Sequence, residues 1–158
     1  MPVEDCATHG CGEQLVGRTG EPFQLAVELG KVREFARVAD SRLVADYEQP
    51  DACCPATFLA VINHWRHDRG SPWYGIDRDM SKILHGEQEF VFSGPPPRVG
   101  DVLTATSSIV DVRTKQGRRG GEMVFTTIRT SFEADGRVVA ESTLTSIETR
   151  GPADRGAQ

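Results

Sequence analysis

His85 stands in the run Ile83-Leu84-His85-Gly86-Glu87-Gln88-Glu89-Phe90, an imidazole followed by two carboxylates at alternating positions. An imidazole titrates near neutrality. With a carboxylate from Asp40, Asp46 or Glu87 beside it, His85 would have the types needed to deliver and remove a proton at a reacting atom. In a regular strand His85, Glu87 and Glu89 share a face, although exposed carboxylates on a solvated edge give the same spacing. Gly86 has no side chain, so a ligand or another backbone can approach there.

Five other groups have side chains with chemical potential. Thr57 and Phe58 open a helical segment, where backbone N–H groups without intrahelical partners can meet an oxygen; capping and core packing account for the same residues. Cys54 precedes Pro55 at that opening, where a helix N-terminus would lower a thiol pKa, but no neighbouring base completes a nucleophile. Cys6-x-x-His9-x-Cys11 holds ligand-type residues at a spacing unlike common zinc sites, and no second pair accompanies it, so no metal is expected. His64 and His67 share a helix face, which also suits cations near the last carbonyls. Lys115, Arg118 and Arg119 form a small basic turn able to contact phosphate groups or an acidic protein, or to serve solubility alone.

The elements that must carry these residues follow from periodicity. Leu29, Val32, Phe35, Ala36 and Ala39 fall on one face of an amphipathic helix, with Lys31, Arg33 and Arg37 outside. Pro55 starts a second helix, Pro55-Ala-Thr-Phe-Leu-Ala-Val-Ile-Asn-His-Trp-Arg-His-Asp68, whose polar stripe is narrow enough to predict burial, with Arg66, His67 and Arg69 at its end. Beyond Gly70 the pattern turns to strands: Ile83–Phe92, stopped by Gly94 and three prolines; a long strand from Val102; then Met123–Phe132 and Arg137–Ile147, joined at Asp135-Gly136 in a hairpin. Phe23, Leu25 and Val27 alternate in a further edge strand. About five antiparallel strands around one apolar helix make an α+β domain whose sheet must curl about that helix.

The chain of 158 residues, 38% hydrophobic, suits one core. Residues 1–14 read as a flexible arm, 15–150 as the domain and 151–158 as a disordered tail. A net charge of −5 argues against nucleic acid, which needs a concentrated basic surface. Without a run of roughly 20 apolar residues or a signal-peptide pattern at the start, a cytoplasmic protein with no membrane association is expected. The four cysteines, Cys6, Cys11, Cys53 and Cys54, are then free thiols.

The stretch Ile83-Leu-His-Gly-Glu-Gln-Glu-Phe-Val-Phe-Ser-Gly-Pro-Pro-Pro-Arg-Val-Gly-Asp-Val-Leu-Thr-Ala105 resembles the N-terminal hot-dog domain of MaoC-like acyl dehydratases. The segments 27–39, 55–58, 121–125 and 136–150 resemble the same family in the same order, and the likeness covers most of 15–150. It implies a single hot-dog domain and chemistry on an acyl thioester: hydration of an enoyl group or dehydration of a (3R)-3-hydroxyacyl group. Coenzyme A or the phosphopantetheine of an acyl carrier protein would enter only as part of the substrate, with no further cofactor. Catalytic members carry an Asp and a His in an Asp-x-Asn-Pro-x-His pattern after the amphipathic helix. Here that place reads Asp40-Ser41-Arg42-Leu43-Val44-Ala45-Asp46-Tyr47, with no Asn-Pro pair and no His. The chain is thereby similar to non-catalytic subunits of heterodimeric (3R)-hydroxyacyl dehydratases, which lend an acyl channel to a partner with the dyad. In that setting Thr57, Phe58, His85 and Gly86 would border the thioester, and Lys115, Arg118 and Arg119 its carrier. Two alternatives stand beside this: a self-sufficient homodimeric hydratase or thioesterase using His85, and an acyl-coenzyme A binding module without turnover.

Overall fold

The computed structural model describes residues 12–39, 44–117 and 121–150. The expected terminal arm lies largely, and the tail wholly, outside the described residues, as do Cys6, His9, Cys11, Asp40, Arg118 and Arg119.

Five antiparallel strands form one sheet: β1 (Phe23–Ala26), β2 (Ile83–Phe92), β3 (Val102–Gln116), β4 (Glu122–Ala134) and β5 (Arg137–Arg150), in the order β1-β3-β4-β5-β2. The turn between β4 and β5 is the pair Asp135 and Gly136, both at positive φ, the conformation a two-residue hairpin with right-handed twist requires. Register shifts at Gly86 in β2, Val110 in β3 and Val139 in β5 each insert one extra residue, and such bulges bend and twist a sheet.

β1 and β2 follow one another in sequence yet occupy opposite edges, so the chain between them has to cross the sheet. It does so over the inner face. The amphipathic helix α2 (Leu29–Ala39) has the expected bounds, with Val32 and Ala36 fully buried. A 3₁₀ turn, Phe58–Val61, runs into one turn of α-helix, α3 (Ile62–Trp65); the helix α1 (Gly12–Leu15) precedes β1.

The buried crossing segment is thus shorter than the continuous helix expected from Pro55 to Asp68. Phe58, Leu59, Val61 and Ile62 are all buried, and a 3₁₀ turn lines up residues three apart, so tightening the chain seats this cluster on the sheet. At Arg66 the backbone turns extended (ψ 147°), and His67 begins a new short turn, accepting the Gly70 N–H at Nδ1. The cations Arg66, His67 and Arg69 therefore do not cap a long helix.

The core lies between this crossing and one row of the inner face, Phe23–Ala105–Phe132–Ala140–Phe92, taken from neighbouring strands. Phe58, fully buried, meets Phe35 of α2 edge-on at 5.7 Å between ring centroids and Trp65 of α3 at 6.3 Å. Lys31 lies 4.2 Å above the Trp65 ring. Gly20 is needed for a close approach: a Cβ there would meet the Gly70 carbonyl oxygen at 2.1 Å. That contact docks the segment after α3 onto the chain before β1, where Glu21 N–H donates to the Arg69 carbonyl. No helix among the described residues is long and apolar enough to cross a membrane.

Phe132 is fully buried at the centre of the row. Phe132→Ala should cost about 3–5 kcal/mol of stability, read as a lower urea midpoint at unchanged slope.

Candidate functional site

The inner face alternates apolar and polar rows. Beside the Phe132 row runs Ser107–Thr130–Ser142, all buried, with the Ser107 and Thr130 hydroxyls 2.8 Å apart and Gln88 Nε2 donating to Ser142 Oγ at 2.6 Å. Next comes Ile109–Ile128–Leu144, then Val112–Thr126–Ser146–His85. Small hydroxyl side chains occupy less of the curl than the aromatic row does. They line a surface of mixed polarity that is largely closed to water.

The bulge at Gly86 decides where His85 points. His85 pairs with Ser146, whereas Glu87 pairs with Thr145 and Glu89 with Thr143, so the imidazole is placed on the inner face and both carboxylates on the outer one. The shared face expected for a regular strand is therefore absent, and Glu87 is not a partner for His85. Among the described residues His85 makes no side-chain hydrogen bond or ion pair. It is exposed, at the free edge of the sheet. Gly86 is there because a Cβ would stand 3.0 Å from both the Ile147 side chain and the Thr145 carbonyl oxygen. Its close approach is thus to the chain's own backbone. Asp46 is exposed in the 3₁₀ turn Val44–Glu48.

Thr57 and Phe58 do open the buried turn, but their backbone is spent. The Phe58 N–H donates to the Pro55 carbonyl at 2.9 Å, its ring fills the core, and Thr57 is exposed without a side-chain cap bond. Cys54 is buried, and desolvation, with the neighbouring Cys53 adding to it, pushes its thiol up from 9.0 to about 12. The field of a helix start, expected to favour a thiolate, is overridden because the turn is short and the sulfur is shut away from water. His64 is exposed and His67 uses Nδ1 as an acceptor while its ring packs edge-on against Phe23; among the described residues no three His, Cys, Asp or Glu side chains gather to hold a metal. Lys115 is exposed and lies 5.1 Å from the centre of the Phe125 ring.

Sequence periodicity passed over the cover of the inner face's far half. Trp73 and Ile76, from the loop after α3, pack with Val112 against Leu15, Ile109 and Ile128, and Arg78 stacks on Trp73 at 3.7 Å. The two aromatic residues in Ser71-Pro-Trp-Tyr-Gly-Ile76 were the available signal, but a loop has no period to give them a face.

A curled five-stranded antiparallel sheet enclosing a short apolar crossing is the hot-dog fold. Residues 14–142 match the FAS1-like, dehydratase domain region, and the chain belongs to that family of MaoC-like dehydratase hot-dog domains. A UPF0336 protein of Saccharopolyspora erythraea is 31% identical over 152 residues, covering 87% of this chain and 92% of the relative. A chain of the C-terminally truncated HadBC (3R-hydroxyacyl-ACP dehydratase) complex of Mycobacterium tuberculosis superposes with TM-score 0.61 at 25% identity, covering 84% of this chain and 96% of that one. One from the ChsH1-ChsH2 complex of Mycobacterium tuberculosis gives 0.54 at 14% identity, over 86% and 90%, a likeness of fold.

The Cys54 environment has a measurable consequence. In the folded protein the Cys54 thiol should stay unmodified by a thiol reagent at pH 8 and react on unfolding. Because its folded pKa is raised, its contribution is complete below the unfolded value near pH 9 and is lost as pH climbs toward 12. Stability should therefore fall by about 1.4 kcal/mol per pH unit across that window, and Cys54→Ala should flatten the slope.

Proposed function

We propose that this chain is an accessory subunit of a (3R)-hydroxyacyl thioester dehydratase, binding part of the acyl chain while a second hot-dog subunit bears the Asp/His pair. The observation that carries this reading is the sequence after α2: where catalytic relatives have Asp and His, residues 40–47 supply two aspartates and no His. Enoyl hydration needs a base that takes a proton from the attacking water and an acid that delivers one to the α-carbon. His85 is placed on the inner face, the two carboxylates of its own strand are on the outer one, and the inner-face carboxylate of the neighbouring strand, Glu148, is engaged by Arg150.

The free edge of β2 supports a partner. It is ten residues long with unpaired backbone on its outer side among the described residues, and Leu84 and Val91 are more than half exposed. Such an edge is a template for another strand. The related HadBC chain comes from a complex of a (3R)-hydroxyacyl-ACP dehydratase. The substrate would be an acyl thioester of coenzyme A or of acyl carrier protein in the cytoplasm.

A second reading, a self-sufficient homodimeric hydratase or thioesterase, draws on the inward-facing His85. Assay of a crotonyl thioester separates the two. The lone chain should be inactive; with a dyad-bearing partner the complex should turn over, and His85→Ala in that complex should leave the rate within about threefold. Strong turnover by the lone chain, abolished by His85→Ala, would reverse the assignment.

A further inference from the structure

Along the free edge of β2 the outer face presents Leu84, Glu87, Glu89 and Val91 in order, all four exposed. Leu84 pairs with Ile147 and Glu87 with Thr145, alternate residues of β5, so the bulge at Gly86 keeps the two on one face. Neither Glu87 nor Glu89 has a hydrogen-bond or ion-pair partner for its carboxylate among the described residues. Glu141, opposite Val91, adds a third acidic group to that face. The cation in the Glu89 row is Arg129, which stands two strands in, about 10 Å from Glu89 along the row, and makes no ion pair among the described residues.

A second copy of the chain closes such an edge by antiparallel pairing about a two-fold axis, where the residue at the axis faces its own copy and its neighbours face one another symmetrically. Directly opposite residues share a face, so the axis falls on a residue and never between two. The registers that cover most of 83–92 put it at Glu87 or Gln88. On Gln88, Glu87 faces Glu89 of the copy twice over; on Glu87 or on Glu89, that residue faces its own like charge. Moving the axis to Phe90 separates the carboxylates but leaves only Gln88–Phe92 paired, and moving it to Gly86 sets the bulge at the centre of the ladder. Opposed Cβ atoms lie about 4.5–5.5 Å apart, a range at which like charges destabilise a ladder. The net charge of −5 adds to the repulsion. Charges also guard edges against aggregation, but a guarded edge is usually short. This one is ten residues long, and its acidic pair is flanked by Leu84 and Val91, each more than half exposed.

We infer that the β2 edge selects its partner by charge: it refuses a second copy of this chain and takes the edge strand of a different one, which presents lysine or arginine opposite Glu87 and Glu89 and apolar side chains opposite Leu84 and Val91. That the different chain is a hot-dog subunit rests on the reading above; the charge rule rests on the register of β2 alone.

Charge exchange on the full chain tests the rule. Sedimentation equilibrium at low salt reads the mass of the wild type, of Glu87→Lys/Glu89→Lys, and of their equimolar mixture, while backbone hydrogen exchange locates any contact and circular dichroism checks each fold. Each chain alone should be monomeric at micromolar concentration, because lysine faces lysine in the variant as glutamate faces glutamate in the wild type. The mixture should pair at least about tenfold more tightly than either chain with itself, gain protection over 83–92, and weaken as salt is added. Glu87→Gln/Glu89→Gln, which keeps the shape and removes the charge, should self-associate along the same residues more than the wild type does. A wild-type dimer protected over 83–92 would overturn the inference. So would a mixture that stays monomeric, or a glutamine variant that self-associates no more than the wild type. None of these readouts involves turnover, so they can fail while the accessory-subunit reading stands, and that reading is decided separately by the crotonyl thioester assay.

Discussion

The fold depends on the seating of Phe58 and its neighbours over the Phe132 row. Because consecutive strands β1 and β2 stand at opposite edges, the intervening chain must travel across the sheet, and an apolar crossing can be enclosed there without burying unpaired polar side chains. Phe58, Leu59, Val61 and Ile62 supply it. Each fully buried side chain of this kind is worth about 1.5–3 kcal/mol, enough together to hold a segment that has a single turn of true α-helix. The curl of the sheet, aided by its bulges, then follows from wrapping this cluster.

The same inner face that is aromatic at one end alternates serine and threonine with aliphatic side chains towards the other. Ser107, Thr130 and Ser142 satisfy one another or Gln88, so the polar row costs little. Ser146 does not, and the cover formed by Trp73 and Arg78 brings further donors rather than acceptors. The change of character along one surface separates the aromatic part that holds the crossing from a part of mixed polarity.

Much of this architecture was legible in the residues. The three- and four-residue spacing of Leu29 to Ala39 marked α2, the prolines after Phe92 ended β2, and Asp135-Gly136 gave the hairpin, since each is set by local chemistry. What depended on tertiary contact was not legible. The Pro55 segment has helical spacing, but packing four neighbours onto the sheet broke it into two short turns. Gly86 reads as a gap for a ligand, whereas it accommodates Ile147 from the adjoining strand and, through the bulge, parts His85 from Glu87. Cys54 has the position of an activated thiol and the burial of an inert one. Trp73 and Arg78 stand five residues apart in a loop without a period, so only the folded chain shows that they stack.

The central claim is that a curled sheet with one long unpaired edge accepts a dyad-bearing hot-dog subunit along β2. Backbone hydrogen exchange, with and without that subunit, tests it most directly. Residues 83–92 should exchange faster than β4 in the free chain and slow by about tenfold or more in the complex. Unchanged exchange over 83–92, with protection appearing elsewhere on the chain, would contradict it.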